Sequence, residues 1–281
     1  LGGAEIDAFI SAIALLAGAV AAEPADEWLP IQLARSLLAA GRGDEGSQVL
    51  RAAAERMPGS AQVRRAHGAA LLAAGRFAEG WAEYRHRAVV GDQSRSALPE
   101  VLPEDLTGRE LHVVWEQGLG DVLFFARFLA PARRRGARVV AYVPPALAAL
   151  FSRSGWVDEV RVADRATVDD ALYFGDLPYA LRSDDAAAPA PLAAPADAQD
   201  RWRAALGAAG PAPYLAVAWR AGTDFTAGPE LGRNLQALSK SVPVDAFAPA
   251  LGAWPGTLVA VQRAPRAGEL EVLARASGRP V

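Results

Sequence analysis

The sequence predicts an α-helical repeat region followed by two parallel α/β units. Three observations support this fold class. Gly-Arg steps at Gly41 and Gly75 lie 34 residues apart within a helix-rich first third. Short apolar runs then alternate with helical patterns, as expected for parallel sheets with helical crossovers. A stretch rich in Pro and Ala, residues 186–198, separates two such α/β patterns and has the composition of a stiff linker.

The 34-residue spacing is that of the tetratricopeptide helix pair. In that frame Gly46 and Gly80 fall where the helices of a pair approach closely, and Pro58 closes the first copy, because proline ends helices. Residues 4–22 resemble a degenerate earlier copy. Two and a half copies bury too little surface to be stable alone, so we expect residues 1–90 to pack against the region that follows. An unrelated array of helical hairpins is the alternative.

Residues 105–185 form the first predicted α/β domain, after a polar connector over 89–108. Its expected strands are Leu111–Trp115, Ala137–Val143, Val157–Val162 and Ala171–Phe174, with helices over Asp121–Arg135 and Ala146–Ser152. Residues 186–212 are a linker and connecting helix, and residues 213–281 the second α/β domain. In that domain we expect strands Tyr214–Trp219 and Thr257–Gln262, with helices Val244–Leu251 and Gly268–Ser277.

Composition excludes several classes of protein. The formal net charge of −3 gives no electrostatic footprint for nucleic acid, and the absence of Cys removes disulfides and thiolate metal sites. The three histidines are isolated in the sequence, so we expect neither a metal site nor a catalytic triad. Arg133–Arg135 is interpreted as the solvated end of a helix rather than a phosphate site. No apolar run is long enough to cross a bilayer, and we expect a cytoplasmic protein.

The turn after the first strand carries the clearest chemical signal. Gly118 and Gly120 allow a sharp turn, and Asp121 stands where a helix begins. A carboxylate is thus expected at the carboxyl end of a parallel strand, where open α/β sheets bind ligands. Asp121 either caps the helix or acts as a general base, and the sequence leaves both possibilities open. The turn lacks the third Gly of a dinucleotide fingerprint and the Lys of a P-loop.

Four motifs together resemble bacterial tetratricopeptide-repeat proteins fused to a glycosyltransferase-like domain. They are Gly75-Arg-Phe-Ala-Glu-Gly-Trp-Ala-Glu-Tyr84, Glu116-Gln-Gly-Leu-Gly-Asp121, Val217-Ala-Trp-Arg-Ala-Gly222 and Lys240-Ser-Val-Pro243. That domain is similar to ADP-heptose:lipopolysaccharide heptosyltransferases, of GT-B fold, and more distantly to O-linked N-acetylglucosamine transferases. The resemblance implies tetratricopeptide repeats, a GT-B-type Rossmann-like domain for the acceptor, and a second Rossmann-like domain for a nucleotide-sugar donor, with reaction in the cleft between the two domains.

The resemblance also implies roles for individual residues. Asp121 matches the proposed general base, and Lys240 matches a cation that neutralises the departing diphosphate. An ordinary exposed lysine is the alternative for Lys240. The residues assigned to substrate binding are Gln117, Gly118, Gly120, Arg220, Gly222, Thr223 and Gln262. No metal or other cofactor is expected, and the acceptor is a glycan, a lipid-linked sugar or a protein.

Two departures from the family pattern limit these expectations. The second domain has two predicted strands where a Rossmann-like half needs about five or six, so we expect a fragment without a complete donor pocket and without activity. Tyr173-Phe-Gly-Asp176 also differs from the Leu- and Pro-rich run of the family, which leaves the acceptor open. The leading hypothesis is inverting sugar transfer in the full-length parent. The alternatives are a non-catalytic interaction protein that binds a partner through its repeats and, less favoured, a nucleotide-binding enzyme such as a dehydrogenase.

Overall fold

The computed structural model describes residues 3–87, 100–163, 168, 170–185, 187–220 and 241–281, with side chains from residue 10 onward. The chain divides into two compact units, Leu1–Leu192 and Ala193–Val281. The first unit contains helical repeats and a four-stranded parallel sheet, and the second contains a two-stranded parallel sheet. The prediction of helical repeats with a parallel α/β region is therefore confirmed.

The repeat arm (residues 3–87) contains five helices within its described length. They are Gly3–Ala22 (α1), Trp28–Ala39 (α2), Gly43–Arg56 (α3), Ala61–Ala73 (α4) and Phe77–Tyr84 (α5). Helices α2 and α3 form one pair, and α4 and α5 form the next. Gly41 and Gly75, both with φ of +76°, follow α2 and α4 at equivalent places, where a left-handed residue suits glycine.

Glycines let the helices of each pair approach closely, as the repeat pattern predicts. A Cβ on Gly46 would lie 2.9 Å from the carbonyl oxygen of Ala34 on the facing helix. A Cβ on Gly80 would lie 2.7 Å from the side chain of Leu72. Both distances are shorter than real Cβ contacts allow, so these pairs need glycine at the crossing.

The first helix corresponds to the half copy that the repeat pattern predicts. Residues 4–22, interpreted as a degenerate repeat, lie within one uninterrupted helix, α1, which supplies only half of a pair. Its Ile13 side chain packs with Leu33 and Leu37 of α2. The run is apolar and has no internal turn residue that would divide it, since Gly18 can remain helical among alanines and leucines.

The larger sheet consists of Glu110–Val114 (β1), Arg138–Val143 (β2), Glu159–Val162 (β3) and Leu172–Tyr173 (β4). All neighbouring strands are parallel, and the spatial order is β3-β2-β1-β4. The chain therefore builds outward from β1 in one direction and then crosses to the other side of β1. The expected strands are present: β1 has the predicted length but begins one residue earlier, and the other three are one or two residues shorter than predicted.

The helix predicted over Asp121–Arg135 begins earlier and is divided. It consists of Leu119–Phe125 (α6), a 3₁₀ turn over Ala126–Phe128, and Leu129–Arg134 (α7). Pro131 has no N–H to donate to the preceding turn, so it is accommodated in the first turn of a new helix, α7. Two further α-helices, Pro145–Ser154 (α8) and Leu177–Ala180 (α9), and a 3₁₀ turn over Phe174–Asp176 complete the helical elements described in this domain.

The repeat arm and the sheet share one hydrophobic core. Trp81 of α5 is 4% exposed and makes edge-on ring contacts with Phe125 and Phe128, at centroid distances of 6.1 and 5.8 Å. The end of the predicted connector is also packed, because Leu106 is buried and its N–H donates to the Arg135 carbonyl. The expected docking of the repeats is confirmed, since their last helix contributes to the core of the α/β region.

The second unit begins near the end of the predicted linker. Its helix Ala196–Ala209 (α10) precedes strands Tyr214–Val217 (β5) and Thr257–Ala260 (β6), which pair in parallel. Two short helices, Val244–Phe247 and Glu269–Ser277, are also present. A small core contains Val217, Trp219 and Leu273.

Candidate functional site

The candidate site lies at the carboxyl ends of β1 and β4. Because the chain builds away from β1 on one side and returns on the other, the boundary between these two strands is the topological switch point of the sheet. Open α/β sheets bind ligands in the crevice at this place, since the loops that follow the two strands diverge there. The loops concerned are residues 115–118 after β1 and residues 174–176 after β4. We call residues Glu116–Asp121 the candidate turn.

Asp121 is exposed at the start of α6. Its Oδ2 accepts a hydrogen bond of 3.0 Å from the N–H of Gly118, the residue that precedes the helix. No other hydrogen bond to this carboxylate is found within the described part of the chain. Asp121 is the third residue of α6, not the first. Its hydrogen bond to the N–H of Gly118 caps the helix through one oxygen only. The second oxygen remains able to accept a proton from a ligand.

The two glycines of the turn have different surroundings. Gly118 is extended, with φ of −73° and ψ of 167°, and a Cβ there would lie 3.2 Å from the Asp121 carboxylate. Gly120 has open space around its Cα, with no described atom within 4 Å of an added Cβ. Gln117 is half-buried and bonds to the Tyr84 hydroxyl of α5, with its Nε2 at 3.0 Å from that oxygen. The repeat arm thus contacts a residue predicted to bind substrate.

A buried ion cluster includes Glu116, the first residue of the candidate turn. Arg87, Glu116 and Asp176 are 4%, 3% and 1% exposed. The Arg87 guanidinium donates to Asp176 Oδ1 at 2.8 Å and to Glu116 Oε1 at 2.5 Å. Burying charges is costly unless they are paired, so the three side chains form one mutually dependent group.

The absence of a side chain at Gly175 leaves room for this cluster. A Cβ on Gly175 would lie 2.6 Å from Arg87 Nη2 and 2.7 Å from Glu116 Oε1. Burial raises the pKa of the Glu116 carboxyl above its ordinary value, and Arg87 opposes that shift. Burial lowers the pKa of Arg87, but Asp176 and Glu116 outweigh this effect and raise it overall, so Arg87 remains charged.

The predicted site residues of the second unit are engaged in bonds within that unit. Gln262 Oε1 accepts the N–H groups of Trp219 and Arg220, at 3.0 and 2.9 Å, and so joins the chain beyond β5 to the chain beyond β6. The Arg220 guanidinium donates to Glu269 Oε1 at 2.6 Å, and this hydrogen bond is the main cause of the lowered pKa of Glu269.

Three predicted residues, Gly222, Thr223 and Lys240, lie outside the described residues. The structure therefore brings Gln117, Gly118, Gly120 and Asp121 together in one turn and holds Arg220 and Gln262 together in the other unit.

Sequence reasoning missed the buried cluster. Arg87 follows the last repeat helix, Glu116 follows an apolar strand and Asp176 follows a two-residue strand. A charged residue directly after a buried strand was the available signal at Glu116. Nothing local in the sequence pairs Glu116 with Arg87, which is 29 residues earlier.

The described residues contain neither a metal-binding cluster nor a membrane-spanning helix. No group of three His, Asp or Glu side chains is placed there to hold a metal ion. None of the helices in the described ranges combines the length and apolar character required to cross a bilayer.

The fold and the site define a helical repeat arm joined to a parallel α/β domain. In agreement with this, residues 7–74 match a family described as tetratricopeptide repeat. The chain is 41% identical over 85 residues to Protein FlbA of Caulobacter vibrioides, a match that covers 27% of this chain and 14% of that protein.

A solved structure, a mutant O-GlcNAc transferase of Thermobaculum terrenum, is similar to part of this chain. The similarity covers 55% of this chain and 31% of the transferase chain. Its sequence identity is 20% and its TM-score 0.26, which is too low to establish a common fold. The chain spans less than a third of either of these two proteins.

Proposed function

We propose that the full-length protein transfers a sugar, with inversion, from a nucleotide-sugar donor to an acceptor hydroxyl. The observation that carries this proposal is the exposed Asp121 carboxylate at the switch point, with one oxygen held by Gly118 and the other free to accept a proton. A heptosyltransferase-like GT-B architecture is part of the proposal, and the order of the sequence motifs supports it.

The proposed chemistry is a single displacement. Asp121 takes the proton of the acceptor hydroxyl as its oxygen forms a bond to the anomeric carbon. The bond from that carbon to the diphosphate oxygen breaks, and its electron pair leaves with the nucleotide diphosphate. We assign Lys240 to stabilise this developing negative charge, on the basis of its sequence motif. The proposed acceptor is a glycan, a lipid-linked sugar or a protein, and the proposed location is the cytoplasm.

We propose two kinds of role for the donor-side residues: contact with the diphosphate and support of the residues that make this contact. Gly222 and Thr223 are proposed to present backbone N–H groups to the diphosphate. Arg220 and Gln262 already bond to Glu269 and to backbone amides, so we propose that they support the start of the segment that carries Gly222 and Thr223.

The charge of Lys240 makes a metal ion unnecessary in the proposed reaction. Transfer by the full-length protein should therefore persist in excess EDTA, and loss of turnover restored by Mg²⁺ would contradict this part of the proposal.

The test is an Asp121→Asn substitution in the full-length protein. Asn keeps the size and hydrogen-bonding geometry of the cap but cannot take up the proton. We expect kcat to fall by about 10²–10⁴ with little change in stability. The matched control is Asp44→Asn, because Asp44 is also an exposed acid in the first turn of a helix. Wild-type turnover in the Asp121 variant would refute the base assignment.

A repeat-mediated interaction protein is the second candidate. The tetratricopeptide match over residues 7–74 favours it, because helical repeats present extended surfaces to partners. The two candidates predict different results in the full-length protein. An enzyme binds a nucleotide sugar and releases a nucleotide diphosphate. A protein that only binds partners captures a peptide or helix through the repeats and shows no donor turnover.

A further inference from the structure

We propose that Tyr84 and Arg87, at the end of the repeat arm, are positioning residues for the candidate turn. This inference rests on the proposed function, because it concerns the turn that carries Asp121. Arg87 is buried, and neither Arg87 nor Tyr84 has a hydrogen bond to Asp121 in the described part of the chain. Their contacts end on Glu116 and Gln117, the two residues that lead into the Gly118–Asp121 segment.

Glu116 is the centre of these contacts. Its Oε1 accepts from Arg87 Nη2 at 2.5 Å, from Gln117 Nε2 at 3.1 Å and from the Gly175 N–H at 3.3 Å. One carboxylate oxygen therefore connects the repeat arm, the candidate turn and the loop after β4. Because these donors approach one atom from different elements, a displacement of any of them changes the position of Glu116.

Arg87 spans both sides of the switch point. One of its terminal nitrogens bonds to Glu116, which follows β1, and the other bonds to Asp176, which follows β4. The Asp176 Oδ2 in turn accepts the N–H of Tyr173 at 3.1 Å, so this carboxylate is held by its own loop. A rigid planar guanidinium held at both ends fixes the distance between the two loops that border the crevice.

Tyr84 adds a second attachment from the same helix end. Its hydroxyl bonds to the Gln117 side chain, and its ring lies below the Arg87 guanidinium, 4.9 Å from centroid to carbon. The ring also packs against Trp81, with centroids 5.9 Å apart. Tyr84 is therefore held by the core of the arm while its polar end holds Gln117.

An apolar contact would join the arm to the domain without the cost of burying three charges. Replacing a buried ion cluster by well-packed apolar side chains is often neutral or stabilising. The Arg87 Nε is buried and has no hydrogen bond among the described residues, which adds to that cost. The hydrogen bonds of the cluster have fixed directions, which apolar contacts do not supply. The geometry thus indicates that the arm orients the candidate turn as well as stabilising it.

The test measures amide hydrogen exchange in the 281-residue chain without substrate. The Asp121 and Val122 amides both donate to the Gly118 carbonyl, at 3.0 and 3.2 Å, and so report the order of the turn. In Tyr84→Phe we expect these two amides to exchange about tenfold faster, because the ring packing remains and only the bond to Gln117 is lost. The control is Arg64→Met. It removes an ion pair with Glu83, which lies on the same helix as Tyr84, and it should leave the exchange rates of both amides unchanged.

Arg87 variants test the attachment through the buried ion cluster. Arg87→Lys keeps the charge but cannot bond to both loops in the same plane, and we expect about tenfold faster exchange of the same amides. Arg87→Met alone removes the buried cation that faces two buried carboxylates, and it is expected to unfold the first unit. The combination Arg87→Met, Glu116→Gln and Asp176→Asn removes all three charges, so it should fold with an equally loosened turn. Wild-type exchange rates in both Tyr84→Phe and this combination would overturn the inference.

Activity of the full-length protein separates this inference from the proposed function. If the wild type transfers sugar, Tyr84→Phe should lower kcat about tenfold per folded molecule and leave KM for the donor within about twofold, since a misplaced base weakens only the transition state. An unchanged kcat would overturn the positioning role while the proposed function stands. If the wild type shows no transfer but the exchange rates respond as expected, the proposed function fails and the control of the turn by the arm remains.

Discussion

At the scale of single residues, glycines and charges at the switch point depend on one another. Gly175 lies against the Arg87 and Glu116 side chains, whereas Gly120 has no described atom near the position of an added Cβ. These two glycines belong to the same region but have opposite surroundings. The structure therefore predicts opposite effects for the same substitution.

Gly175→Ala should destabilise the first unit by about 1–3 kcal/mol, because the new methyl group overlaps the buried ion cluster. Gly120→Ala should stabilise it by roughly 0.5–1 kcal/mol, because alanine favours the helix and the space is open. Denaturant unfolding followed by circular dichroism measures both. Equal effects of the two substitutions would contradict the packing around Gly175.

His67 of α4 provides a residue-scale prediction about pH. Burial lowers the pKa of His67 below its ordinary value; Glu83 opposes the shift, and Arg76, Arg64 and Arg51 add to it. The unfolded state therefore binds the proton first as the pH falls. The stability due to neutral His67 is fully present above the unfolded pKa and is lost as the pH falls through the folded pKa.

The free energy of unfolding should thus decrease as the pH is lowered from about 7.5 to 5.5, a window above the titration of ordinary carboxyl groups. In His67→Gln this decrease should become smaller. Chemical denaturation at several pH values measures it. An unchanged slope in the variant would show that another group causes the pH dependence.

At the scale of elements, close helix approach holds each repeat pair together. Gly46 of α3 faces the Ala34 carbonyl at a distance that leaves no room for a methyl group. Because that neighbour is backbone, it cannot rotate away, and the pair must separate to admit a larger side chain. The cost of a substitution therefore depends on the crossing and not on helix propensity.

Gly46→Ala should destabilise the first unit by about 1–3 kcal/mol even though alanine is the better helix former. Gly59→Ala is the matched control, because no described atom lies within 4 Å of a Cβ at that position. Thermal unfolding of the two variants provides the comparison. A rise in melting temperature for Gly46→Ala would mean that α2 and α3 are packed less closely.

At the scale of the first unit, the repeat arm and the sheet share a core and a buried ion cluster. Trp81 contributes to the aromatic contacts with Phe125 and Phe128, and Arg87 joins the arm to both loops at the switch point. The arm therefore lacks a large part of its packing when the domain is absent. We expect residues 1–192 to unfold in one cooperative transition.

Trp81→Ala should destabilise this unit by about 3–5 kcal/mol and lower the unfolding midpoints of the helices and the sheet together. Residues 1–87 expressed alone should show little stable helix by circular dichroism and rapid amide exchange. Hydrogen exchange resolves the two regions separately. A variant in which the sheet keeps its protection while the arm loses it would show that the two fold independently.

Much of the local structure could be predicted because it depends on local patterns. The 34-residue spacing identified the helix pairs, and short apolar runs identified the strands, including β1 and its turn at Gly118. The extent of the helices was less predictable. The early start at Leu119 and the restart at Leu129 depend on how Gly118 and Pro131 are accommodated by neighbouring elements.

The sequence by itself determined that a carboxylate, Asp121, stands after the first parallel strand, because strand, turn and helix signals are contiguous there. Only the tertiary structure decided what surrounds it. Arg87 meets Asp176 across 89 residues and Glu116 across 29, and those contacts depend on the order of strands β4 and β1 and on the docking of α5. Local periodicity carries no information about such pairs, since the chain between them can close in many ways until the common core selects one.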